Sequence, residues 1–147
     1  MGEIKKELVT MLNKALELEH AARIQYLAHA ELIKGPGSEK VIERLKELAS
    51  DEKEHEDKFR NLIGGYLGGE PTMGLSATHR ASDTESIVKI NLKNEKEAID
   101  FYKQIYNKIL EHKQDLQYEF ETLEHDVRHI IIDEQEHVIE LSLILGQ

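Results

Sequence analysis

Residues 51–55 read DEKEH and residues 133–137 read DEQEH. The shared phrase, Asp-Glu-x-Glu-His, occurs twice in a chain of 147 residues. In each copy the first Glu and the His are three residues apart, so on a helix both side chains leave the same face. In each copy that pair also continues an apolar stripe. Leu45 and Leu48 precede the first pair and Phe59 follows it; Val127 and Ile130 precede the second and Leu141 follows it. Glu52/His55 and Glu134/His137 therefore stand where a bundle helix would turn Leu to its core.

Two further stretches carry the same helical period. From Glu3 to Lys34 the stripe runs Ile4, Leu8, Leu12, Ala15, Ala22, Tyr26, Ala30 and Ile33, centred near Glu19. Another runs Val88, Leu92, Ala98, Ile99 and Tyr102, with Glu95 in its middle. The expected helices span about 3–34, 38–63, 84–112 and 115–145. Gly35-Pro36-Gly37 ends the first, and Ser38 is the expected N-cap of the second. Gly64-Gly65 ends the second, and Ser82-x-x-Glu85 has the form of a capping box for the third. Residues 64–83, GGYLGGEPTMGLSATHRASD, are loop-forming throughout. So long a loop fits an all-α, four-helix bundle made of two helical hairpins joined by a long crossover. The whole chain, 1–147, reads as one such domain.

Each of the four stripes thus buries an ionisable group. A carboxylate without a partner is costly to bury, and no Lys or Arg lies on these stripes beside the Glu positions; Arg23 is nearest, at the edge of the first. Metal cations satisfy the arrangement. One Glu-x-x-His pair from each of two helices plus a lone Glu from each of the other two is the donor set of a di-iron or di-manganese carboxylate site. The ligands would be Glu19, Glu52, His55, Glu95, Glu134 and His137, with iron or manganese favoured and zinc also suited to the donors.

About one Glu-x-x-His is expected by chance in this composition, and the chain has three. The third, Glu17/His20, points away from the stripe and is assigned to solvent. A hairpin must also place paired ligands at one height. Glu19 and Glu52 are equidistant from a point inside Gly35-Pro36-Gly37. Glu95 and Glu134 are equidistant from a point between Gln114 and Asp115, where neither Gly nor Pro marks a turn. An unbroken helix would hold those two about 58 Å apart. The site therefore demands a turn there, with Asp115 as N-cap.

Asp51 and Asp133 are candidates to orient the His of the facing helix, because metal-bound imidazoles donate their other N–H to carboxylates. Glu54 and Glu136 fall on a different face and are assigned to solvent. Tyr26 and Tyr102 each follow a lone Glu by seven residues, in place to hydrogen-bond a ligand or to act catalytically as an electron carrier. His29, His79, His112, His125 and His129 match no ligand pattern.

The net charge of −10 disfavours nucleic acid as a partner. No apolar run is long enough to cross a membrane. The absence of Cys excludes disulfides and thiolate metal sites. With no secretory signal, the expected compartment is the cytoplasm.

The stretches LNKALELEHAARIQYLAHA, DEKEHEDKF, NLKNEKEAIDFY and DEQEHVIEL resemble the four helices of the ferritin-like superfamily, nearest to bacterioferritins and rubrerythrins. The resemblance covers essentially the whole chain. It implies two Fe ions per site, with Glu52 and Glu134 bridging them, His55 and His137 each on one ion, and Glu19 and Glu95 terminal. It implies Fe(II) oxidation by dioxygen or hydrogen peroxide. The alternatives are a rubrerythrin-like peroxide reductase with an external electron donor, and an iron-storage oligomer without turnover. Bacterioferritins carry a haem-ligating Met after the second-helix Glu; here that residue is Lys53, so no haem is expected. The chain stops soon after the fourth stripe, so a homo-oligomer such as a dimer is expected rather than a 24-subunit shell.

Overall fold

The computed structural model describes residues 2–147. Four long helices dominate: α1 Glu3–Ala30, α2 Ser38–Arg60, α3 Thr84–Glu111 and α4 Phe120–Ile144. No strand occurs among the described residues. Helices α1 and α2 form one hairpin, α3 and α4 the other, and α1 packs on α3 to join them. This is the expected four-helix bundle.

The first turn is built on Gly35 (φ +96°) and Gly37 (φ +78°), both in the left-handed region that glycine adopts without steric cost. Gly37, not Ser38, is the N-cap of α2, with no side-chain capping bond. Helix α1 ends at Ala30, earlier than Lys34, because the chain turns before the glycines are reached. Helix α2 does not stop at Gly64-Gly65: a π-helical turn, Asn61–Tyr66, carries it onward. The cap of α3 is Asp83, which exchanges hydrogen bonds with Ser86; the box lies one residue beyond Ser82/Glu85. The unmarked turn between α3 and α4 is present. A 3₁₀ turn, Lys113–Asp115, breaks the helix, and α4 begins at Phe120. Asp115 lies within that turn and caps nothing, so α4 starts later than expected.

The crossover is strapped along one face of α1. Asn13 donates to the Glu70 carbonyl (3.0 Å) and accepts from the Thr72 amide (2.9 Å). Glu17 accepts from Thr72 Oγ1 (2.5 Å), and its carbonyl accepts from the Ser76 amide (3.0 Å). His20 Nδ1 bonds the Gly74 carbonyl (2.6 Å). The Glu17/His20 pair is therefore not a solvent feature; it anchors the strap. The approach is close: a Cβ on Gly69 would lie 2.7 Å from both methyls of Val9.

The apolar core is in two parts. One gathers Leu8, Leu12, Phe59, Leu62, Ile105 and Leu123; the other gathers Tyr26, Leu45, Leu48, Ile87, Val88 and Leu141. Each fully buried Leu or Ile contributes about 1.5–3 kcal/mol. Together these layers hold rigid the band of ionisable side chains that all four helices bury at one level.

Candidate metal centre

Glu19, Glu52, His55, Glu95, Glu134 and His137 are all buried, none more than 3% exposed. They converge as two overlapping quartets. Glu19, Glu52, His55 and Glu134 present donor atoms within 4.8 Å of one another, and so do Glu52, Glu95, Glu134 and His137. Glu52 and Glu134 belong to both quartets, so each has one carboxylate for two positions. His55 Nδ1 lies 2.8 Å from Glu134 Oε1 and 3.3 Å from both Glu19 Oε1 and Glu52 Oε1. His137 Nδ1 lies 3.5 Å from Glu52 Oε1 and Glu95 Oε2.

The supports cross the bundle. His55 Nε2 bonds Asp133 Oδ2 at 2.9 Å, and His137 Nε2 bonds Asp51 Oδ2 at 3.0 Å. Each imidazole thus commits Nε2 to the Asp of the facing helix and turns Nδ1 toward the carboxylates. The tyrosines cross too. Tyr26, on the helix of Glu19, donates to Glu95 Oε1 (2.7 Å); Tyr102, on the helix of Glu95, donates to Glu19 Oε1 (3.0 Å). The spacing in sequence pairs each Tyr with the Glu of its own helix, but the bundle pairs it with the other. Glu54 and Glu136 are exposed, as expected.

The electrostatics follow from crowding acids in a dry core. Burial, with the charges of Glu19 and Glu95, pushes the Glu52 carboxyl well above the usual carboxylate range. Burial and the Glu52 charge do the same to Glu134. Burial also acts on Glu95, but the proximity of Glu134, the His137 imidazolium (Nδ1 3.5 Å from Oε2) and the Tyr26 hydroxyl outweigh it, so Glu95 is held low. Burial works against both imidazolium ions; the Glu19 charge with the Asp133 bond raises His55, and Glu95 with Asp51 raises His137. Both tyrosine hydroxyls are raised by burial and by the carboxylates, so they remain donors.

The donor set fits a pair of divalent cations. Glu19 Oε2, Glu52 Oε1, Glu95 Oε2, Glu134 Oε1 and His137 Nδ1 are buried without a well-directed hydrogen bond, Glu134 Oε1 despite His55 Nδ1 at 2.8 Å. Native interiors rarely leave such atoms unsatisfied, least of all five in one cluster. All belong to the six residues, and all are metal-donor atoms.

Beside the centre lies a polar group that the sequence reading missed. Glu56 is 2% exposed and is bound by Arg23, with Arg60 Nη2 at 3.4 Å and His20 Nε2 at 3.6 Å. Its position one turn past Glu52 and three residues before Phe59 was the available signal. His29 is likewise buried: it bonds the His79 carbonyl (2.9 Å) and Asn91 Nδ2 (2.9 Å), and burial lowers its pKa.

Residues 9–147 match the family model described as Ferritin-like domain. The chain belongs to the ferritin-like family. A bacterial ferritin of Neisseria meningitidis is 35% identical over 97 residues, which span 65% of this ferritin-like chain and 62% of that protein. The match thus covers less than two thirds of the relative's length. A ferritin-like, diiron-carboxylate protein from Bacillus anthracis str. Ames superposes with a TM-score of 0.90 at 26% identity, over 99% of both chains. The bacterioferritin-related protein of Bacteroides fragilis, described as a dodecameric thioferritin, gives 0.82 at 25% identity over 97% of this chain and 86% of that one. Among the described residues no helix is long and apolar enough to cross a membrane.

Proposed function

We propose that the six buried residues hold two iron ions and that the protein oxidises Fe(II), its substrate, with dioxygen or peroxide. The observation that carries this is the pair of donor quartets sharing Glu52 and Glu134. Two Fe(II) held there would give two electrons, which with two protons reduce dioxygen to hydrogen peroxide, or hydrogen peroxide to two waters. Glu52 and Glu134, common to both quartets, would serve both ions; His55 and Glu19 would complete one position, and His137 and Glu95 the other. Four carboxylates would balance two divalent charges, so the loaded site would carry no net charge into the core. Asp133 and Asp51 hold the imidazoles with Nδ1 facing inward. Tyr26 and Tyr102 fix the terminal carboxylates.

We further propose that no haem is bound, because Lys53 stands at the ligand position and points to solvent. Assembly as a homo-oligomer and residence in the cytoplasm belong to the same reading. Manganese or zinc would fit the donors, and an external reductant would turn the same centre to peroxide reduction. Aerobic Fe(II) oxidation measured against peroxide consumption separates the readings. Ferroxidation faster with wild type than with Glu95→Ala supports the proposal; equal rates sink it.

A further inference from the structure

A cavity of about 370 Å³ opens between α1 and α3, beneath crossover residues 76–79. Its floor is Glu52, Glu95 and Glu134, each with a buried oxygen that lacks a partner. We propose that this cavity binds a small neutral organic molecule with an apolar body and a hydroxyl-type head, placed against the metal centre.

Size is the first argument. Dioxygen or peroxide needs the room of about one or two waters, at about 30 Å³ each. The cavity is about tenfold larger and falls in the range of organic-ligand sites, about 300–1,000 Å³. Its walls are the second. Ala21 and Ala22 from α1 face Ala98 and Phe101 from α3. Leu at any of the three alanines would have closed the space as the rest of the core is closed. The mouth is preformed rather than loose: Gln25 Oε1 accepts from the His79 amide (2.6 Å), and Gln25 Nε2 donates to Asn91 and Asn94 of α3 (2.9 and 2.8 Å). Charge is the third. Two divalent ions offset the four carboxylates, so the floor favours neither an anion nor a cation. Lys14 at the rim is seated over the Phe101 ring, 5.4 Å from its centroid. A hydroxyl suits this floor in either state: in the metal-free protein its proton serves an unpartnered carboxylate oxygen, and with cations bound its oxygen would face them. The neutral head rests on the two-metal reading; the apolar pocket does not.

The test uses 2-phenyl-2-propanol, a compact aromatic alcohol, titrated into metal-free ¹⁵N-labelled protein. Saturable amide shifts are expected at Ala21, Ala22, Ala98 and Phe101, with a Kd of about 1 mM or tighter. Ala98→Leu and Ala21→Leu, from opposite walls, should each weaken binding by about tenfold or more. Cooperative melting shows which filled variants are folded, and the wild-type shift map decides even if neither is. No saturable shift, shifts confined to other surfaces, or wild-type binding by both folded variants would overturn the proposal. An anaerobic Fe(II) titration is run alongside. Protein that binds two Fe(II) but not the alcohol loses the pocket and keeps the metal reading. Protein that binds the alcohol there but no Fe(II) keeps the pocket and loses the metal reading.

Discussion

Replacing Tyr26 by Phe removes one oxygen from the metal-free core and nothing else. That oxygen donates to Glu95 Oε1 at 2.7 Å, in a site where Tyr26 is 1% and Glu95 3% exposed. Glu95 is the carboxylate held low, in part by this hydroxyl, so the bond is made to a charge. Such bonds contribute about 1.5–3 kcal/mol, and the phenyl ring keeps the apolar packing. For a chain of this size each kcal/mol moves Tm by about 2–4 °C, so Tyr26→Phe should melt about 3–12 °C lower. The assay is a double-mutant cycle by thermal and urea unfolding of the metal-free protein, with Tyr26→Phe, Glu95→Ala and the pair. In the Glu95→Ala background the tyrosine change should cost almost nothing, giving a coupling of about 1.5–3 kcal/mol. A single-variant cost below about 0.5 kcal/mol, with additive effects, would refute the claim that the crossed tyrosines hold the terminal carboxylates.

Other consequences can be checked in parallel. Asp51→Ala and Asp133→Ala should each weaken Fe(II) binding about 10–100-fold, measured by calorimetry, because each releases the far nitrogen of one imidazole; affinities within about threefold of wild type would count against the tethering role. Glu52, Glu134, His55 and His137 all have folded pKa values raised above their unfolded ones. The folded metal-free protein therefore binds more protons than the unfolded chain above the unfolded pKa values. Its stability should fall as pH rises from about 6.5 to 9, by about 1.4 kcal/mol per pH unit or more, in urea titrations at several pH values. For the same reason, loading with Fe(II) should release protons, seen as a buffer-dependent heat of binding; a buffer-independent heat would oppose this. Arg23→Ala strips one partner from the buried Glu56 but leaves Arg60, and Arg23 is one-third exposed, so the expected cost is about 1–2 kcal/mol by urea unfolding.

The bundle was legible because burial leaves a period in sequence: Leu45, Leu48 and Phe59 frame Glu52 and His55 on one face, and the same holds for the other three helices. The α3–α4 turn was legible only through chemistry, since Glu95 and Glu134 cannot meet without it. The residues that escaped are those whose partners are distant in sequence. Glu17 and His20 look solvent-facing until Thr72 and Gly74 are laid across them. Glu56 looks like any helix glutamate until Arg23 arrives from α1. The crossed pairing of Tyr26 with Glu95, and of Tyr102 with Glu19, is a property of how two hairpins face each other, which no spacing within one helix encodes. The cap at Asp83 rather than Ser82 is a local choice between adjacent N-cap residues.

The central claim is that Glu52 and Glu134 are shared by two metal positions. Anaerobic Fe(II) titration of the metal-free protein, read by calorimetry and by metal analysis after desalting, tests it most directly. The account predicts two ions per chain for wild type, and loss of both in Glu52→Ala and in Glu134→Ala, since each removal strips both quartets. One ion or none in wild type, or two ions retained in either variant, would contradict it.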